Sequence, residues 1–412
     1  MKFWLFFAIA VCFGVGLAIG AEEYPEWFVL GNHLEEDVSS NDEDEQRYII
    51  TNSRVDNFSV AEEPRFANNN KDIELALKWL KLEYDTNHTH NILLSPLGFY
   101  LSSVLLANGV VDESLFEFSK IFSVMRLTEV NKQIKTYLAR KDDNVVINLS
   151  LWGKIFSGHY RELMKSQLKA EIWGVGNTTE IINDWVKAST NSEIEDIAPV
   201  NATKDSDLFL ANAVHFKGQW QDPFSAEKVD QGIFHNLNGR INKIDMLHND
   251  LETDYYEDEL MQSVRLFYTS GDYISIFLPK EDGFEKLLEK LDVLMVKPDY
   301  KKVKVRITLP KFNIKYNAGA VKDFYKNLGI RKIFEANNYD FAKMVSFDTP
   351  SFITDVYLTA KIAVDVQESV NTDKSATEYR DRDVVSFIAD RPFIFMLNNG
   401  DFIGAFIKGD DN

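Results

Sequence analysis

The stretch Leu210-Ala211-Asn212-Ala213-Val214-His215-Phe216-Lys217-Gly218-Gln219-Trp220, followed closely by Pro223-Phe224, anchors the reading of this chain. Within it His215 reads as a packed sheet residue rather than a catalytic base. C-terminal to it the sequence is rich in strands. Tyr273–Leu278 and Val303–Leu309 are apolar or alternating runs, each closed by a proline. Asn238-Gly239 and Asn399-Gly400 read as hairpin turns, because Asn-Gly readily takes up the positive φ angles of a tight turn.

Towards the N-terminus the period changes from two to about 3.6. Ile73, Leu75, Ala76, Leu77, Leu80 and Leu82 form an apolar helical face, to which Trp79 and Tyr84 add aromatic weight. A second helix is expected to start at Ser95-Pro96, serine capping and proline in the first turn, and to stop at Gly109. A third falls between Ile181 and Ser189 with Trp185 and Val186 inward, and Val145–Leu151 reads as a strand. Helices concentrate early and strands later, without regular alternation. The fold class is therefore α+β, and no repeat or linker divides residues 71–412.

The first 70 residues have a different character. Residues 1–20 carry an early lysine, an apolar run and the small-x-small triplet Ala18-Ile19-Gly20, the pattern of a secretory signal peptide. The only cysteine, Cys12, lies inside it, so the mature chain is expected to lack disulfides, thiol nucleophiles and thiolate metal sites. Residues 21–70 form an acidic arm: from Glu22 to Glu63 there are thirteen Asp/Glu against two Arg. Such a segment cannot bury enough apolar surface to fold by itself. Asn57, Asn87, Asn148, Asn177 and Asn201 head Asn-x-Ser/Thr triplets and are glycosylation candidates in a secreted chain. Asn148, inside the strand-like run, is the least accessible of them.

Formal charge is −19. That excess favours solubility and disfavours nucleic acid and anionic membranes as partners. No phosphate-binding glycine loop, Gly-x-Ser-x-Gly or His-Glu-x-x-His occurs, and His88-x-His90 reads as a polar turn. An enzyme, a metal site and a bound cofactor are therefore not expected.

Several segments together resemble the serpin family of serine protease inhibitors. Asn91-Ile92-Leu93-Leu94-Ser95-Pro96-Leu97 is similar to its opening strand-to-helix signature, and the stretch quoted first is similar to its most diagnostic internal motif. Ile182-Asn183-Asp184-Trp185-Val186 with Thr190, Leu309-Pro310-Lys311-Phe312, Leu328-Gly329-Ile330 and Phe387–Phe395 fall in the family's order. The resemblance implies a secreted serpin fold: three β-sheets surrounded by helices, with an exposed reactive-centre loop near the C-terminus. It also implies a monomer whose partner is an extracellular serine protease. The protease cleaves the loop, which then enters the largest sheet as an extra strand.

The resemblance places the loop hinge at Glu368. Val370 then stands where the family has glycine, Asn371 where it has threonine, and Asp373 within a stretch normally made of small residues. With period-two alternation, Asn371, Asp373, Ser375 and Thr377 share the face that must turn inward. Burying Asp373 opposes insertion, and β-branched Val370 stiffens the hinge. The family's usual interval puts the scissile bond after Val384, whereas trypsin-like chemistry points to Arg380 or Arg382. Weak or absent inhibition, a working inhibitor of a trypsin-like protease, and a carrier of small extracellular ligands are all compatible with these residues.

Overall fold

The computed structural model describes residues 70–122, 126–140, 144–153, 155–174, 179–199, 208–281, 283–292, 298–319, 321–346, 349–367, 384–398 and 400–409. Helix α1, Asn70–Thr86, buries Ile73, Ala76, Trp79 and Leu80 as its period requires, together with the carboxylate of Glu83. Tyr316 Oη and Gly319 N each donate to Glu83 Oε1 at 2.8 Å. Strand β1, Ile92–Leu94, leads into α2, Pro96–Gly109, and Gly98 N donates to the capping Ser95 Oγ at 3.1 Å. All fourteen residues of α2 are buried. The helix does stop at Gly109, whose φ is not left-handed; glycine is fixed there by space. A Cβ there would lie 2.3 Å from Met344.

Five strands form one sheet, in the order β10-β11-β4-β2-β3. They are Val145–Gly153 (β2), Glu171–Gly174 (β3), Leu208–Phe216 (β4), Phe312–Asn317 (β10) and Ile353–Val364 (β11). β4 is buried on both faces. Behind it lie α2 and the main core. In front, helix α6 (Thr179–Ser189) and the segment 190–199 cover it. There Trp152, Trp185, Ile194, Ile197, Phe209, Ala211 and Ala213 make a second, smaller apolar cluster. Between α2 and β2 come α3, Asp112–Phe122, and α4, Leu127–Arg140; α5, Gly158–Leu168, precedes β3.

The remaining strands are hydrogen-bonded into one nine-stranded sheet. One seventeen-residue strand, β6 (Ile241–Glu257), is the reason. It pairs with β5 (Val229–His235) and β9 (Lys301–Pro310), and its last residues pair with β7 (Met261–Phe267). Beyond β7 follow β8 (Tyr273–Pro279), β13 (Phe393–Leu397), β14 (Phe402–Phe406) and β1. The three sheets implied by the family resemblance are thus the five-stranded sheet and two blocks that share β6. Gly239, at φ +78°, turns the β5–β6 hairpin, and Gly400, at φ +114°, lies in the β13–β14 connection. Helices α7, Phe284–Lys290, and α8, Val321–Asn327, complete the described helices.

Candidate functional site: a parallel seam and the root of the loop

The centre of the five-stranded sheet has an unusual join. β4 and β11 are neighbours and run parallel, from Leu208↔Ile353 to Phe216↔Ile362, while β11 is antiparallel to β10 and β4 is antiparallel to β2. Parallel pairing is slightly the weaker of the two. A further strand entering this seam from the loop that follows β11 would double back along it. It would therefore run antiparallel to both neighbours, replacing one parallel ladder with two antiparallel ones.

The chain leaving β11 is tied down at that end of the seam. Gln367 Nε2 donates to Gly218 O at 2.7 Å, its Oε1 accepts from Trp220 N at 2.6 Å, and its backbone N donates to Phe224 O at 3.2 Å. Trp220 Nε1 donates to Asp365 O at 3.1 Å, and Lys311 Nζ pairs with Asp365 Oδ1 at 3.0 Å. These contacts give physical reasons for motif residues that sequence alone only marked. Gly218 is required because a Cβ would come within 2.6 Å of Phe216 and Tyr268, and Trp220 is held rigid by stacking on Tyr268 at 4.1 Å between ring centroids. Beside Trp220 lies a cavity of about 150 Å³, walled also by Phe224, Leu251, Leu266 and Phe267.

A clasp crosses the seam on its front face. Glu193, on the segment after α6, accepts from Lys361 Nζ of β11 at 2.6 Å and lies 3.7 Å from Lys217 Nζ, just beyond β4. Asp196 on the same segment pairs with Lys315 of β10. The segment is folded back onto α6 by two side chains of the family-like motif. Asn183 Oδ1 accepts from Ile197 N and Ala198 N at 3.0 Å each, and Thr190 Oγ1 accepts from Ile194 N at 3.0 Å. Nothing in the sequence marked Glu193, because an isolated surface glutamate gives no local signal.

The Lys361 hydrogen bond holds the Glu193 carboxyl below its ordinary value of about 4.5, aided by the nearby Lys361 and Lys217 charges and opposed by partial burial. A depressed carboxylate pKa contributes stability that is complete above the unfolded value and is lost as pH falls through the folded one. We therefore expect Glu193→Gln to lower the melting temperature at neutral pH. The gap between variant and parent should close as pH drops below about 4.5. A gap that stays constant from pH 7 to pH 3 in calorimetry would show that the clasp contributes nothing through its charge.

The sequence-derived sites fall unevenly on this frame. Glu368, Val370, Asn371, Asp373, Arg380 and Arg382 lie outside the described residues, as do Asn57, Asn177, Asn201, the leader and the acidic arm. Val384 is described. It directly precedes β12, Val385–Ile388, whose residues pair with β9 from Val385↔Val305 onwards. Asn87 follows α1, and its Oδ1 accepts from Thr89 Oγ1 at 3.0 Å, within its own triplet. Asn148 lies in β2, and its Nδ2, the atom a glycan would occupy, is buried without a partner among the described residues. His88 and His90 are both exposed just beyond α1, and no cluster suited to a metal is found among the described residues. His215 is a buried residue of β4.

The described residues thus give a five-stranded sheet with a parallel β4–β11 seam, a tethered segment after β11 and a strand that begins at Val385. The chain belongs to the serpin family: residues 70–406 match the family model described as serpin (serine protease inhibitor). It is 27% identical over 347 residues to the rice protein called putative serpin-Z12, covering 74% of this chain and 81% of that one. It is 29% identical over 306 residues to serpin A3-2 of Bos taurus, covering 68% and 72%. Among solved structures it resembles the thermophilic serpin tengpin in the native state, with TM-score 0.73, 23% identity and coverage of 87% and 98%. It also resembles Arabidopsis AtSerpin1 in its native stressed conformation, with TM-score 0.75, 18% identity and coverage of 85% and 100%.

Proposed function

We propose that this serpin is an extracellular protein whose loop enters the seam slowly, so that proteases cleave it as a substrate and its role is binding rather than durable inhibition. The observation that carries this reading is the closed seam at the root. Insertion must part β4 from β11, break the Glu193 clasp and pull the chain away from the Gln367 tether. The residues that must then lead the way in are Val370, Asn371 and Asp373. A charged side chain turned inward and a branched residue at the hinge both raise the barrier. Trapping an acyl-enzyme is a race against hydrolysis, which a slow strand loses. The leader-like sequence, the Asn-x-Ser/Thr triplets and the acidic composition support secretion and a solvent-exposed, non-enzymatic role.

A second reading is a working inhibitor of a trypsin-like extracellular serine protease, and one count favours it. Residues 368–382, from the hinge at Glu368 to Arg382, number fifteen, enough to pair along the twelve residues of β11. Cleavage after Arg382 would release a strand able to line the whole seam. Carriage of a small ligand is a third reading, to which only the cavity beside Trp220 speaks. One assay separates the first two. The mature protein is incubated with trypsin and with elastase and run on a denaturing gel. We expect cleavage near Arg380 or Arg382 with little or no covalent complex. A stable complex as the main product would overturn the proposal in favour of the inhibitor.

A further inference from the structure

Directly behind the seam, towards the main core, lies a small cavity of about 10 Å³. Its walls come from both sides of the join: Asn212 and Val214 of β4, and Leu358, Thr359 and Ala360 of β11, with Trp79 of α1 and Ser95 closing it. Two of these residues carry buried polar atoms with no hydrogen-bond partner among the described residues. Trp79 Nε1 is a donor and Asn212 Oδ1 an acceptor, and both residues are 1% exposed. The amide of Asn212 is otherwise fully engaged, its Nδ2 donating to Gly98 O at 2.8 Å and to Ser102 Oγ at 3.0 Å. That arrangement fixes the orientation of the amide and leaves the carbonyl unmet.

We infer that this cavity is a binding site for one structural water that bridges α1 to β4 beneath the seam. The chemistry is complementary. A water accepts from Trp79 Nε1–H and donates one proton to Asn212 Oδ1. Its second proton has acceptors in the same wall. Thr359 Oγ1 donates to Asn317 Oδ1 at 2.6 Å, and Ser95 Oγ donates to Asp401 O at 3.0 Å, so each keeps lone-pair capacity. Three hydrogen bonds is the usual complement of a buried water, and the volume is at the lower limit for one molecule. A larger ligand does not fit, and an apolar one would leave both polar atoms unmet.

The site has a consequence that does not depend on whether the loop inhibits. Because its walls belong to both strands, parting β4 from β11 opens it to solvent, so the residence time of the water reports opening of the seam. Two measurements on the full chain test this. In a high-resolution crystal structure, density should lie within hydrogen-bonding distance of both Trp79 Nε1 and Asn212 Oδ1. In solution, the Trp79 indole N–H, assigned by its loss in Trp79→Phe or by selective labelling if that variant does not fold, should show cross-relaxation with a long-lived water. Glu193→Gln, which frees the clasp, should shorten that residence time severalfold. A dry cavity in the crystal, an indole proton without a water contact, or a residence time unmoved by Glu193→Gln would each overturn the inference.

Discussion

Replacing Val370 by Gly, Asn371 by Thr and Asp373 by Ala in one chain is expected to convert a protein that is cleaved into one that traps its protease. Each change acts on a separate obstacle. Glycine restores freedom of φ and ψ at the hinge, threonine suits a pleated and half-buried position, and alanine removes a carboxylate from the face that turns inward. Sheltering an unpaired carboxylate in an apolar layer costs a few kcal/mol. If about 1.4–2.8 kcal/mol of that is felt as the first residues enter, relief accelerates insertion by roughly tenfold to a hundredfold. Stopped-flow inhibition kinetics against trypsin, together with the yield of covalent complex, measure the gain directly. A triple variant indistinguishable from its parent would show that the tether or the clasp, not the loop composition, sets the rate.

The second large effect lies on the front of the five-stranded sheet. Trp185 of α6 is buried against Trp152, edge to face at 6.0 Å, in the smaller apolar cluster. Truncation to alanine removes the largest side chain that α6 contributes there, and comparable truncations cost about 3–5 kcal/mol. For a domain of this size that corresponds to a fall in melting temperature of roughly 4–7 °C. Because the cluster is separate from the main core, the loss should be local. Hydrogen exchange should quicken in α6 and residues 190–199 while α2 and the β13–β14 hairpin keep their protection. Equal loss of protection in all of these would mean that the front layer is not an independent unit.

How much of this was legible in the sequence depends on whether a signal is local. The start of α2 could be read because Ser95 and Pro96 act within one turn, and the β5–β6 hairpin because Asn-Gly dictates its own backbone. The order of strands could not be read from periodicity. β1 pairs with β14 through Ile92↔Ala405, and the seam joins strands far apart in the chain. The resemblance to the serpin family implied three sheets but none of these pairings. Gln367 was visible only as part of a lead-in, since its three hydrogen bonds go to backbone atoms of a turn over 140 positions away. Val384 was reached by counting along the chain, and it stands immediately before β12. Counting along a loop does not reveal where the next ladder begins.

Both ends of the loop are held by groups that are not part of it. Before it, Asp365 and Gln367 are bound to Lys311 and to the turn from Gly218 to Phe224, and after it β12 is zipped to β9. In sequence, the sixteen residues 368–383 form a segment between two fixed sockets. Insertions, deletions and changes of specificity within it leave the sockets untouched. A lineage could therefore retarget or retire this molecule by editing one short segment, at no cost to the fold that carries it.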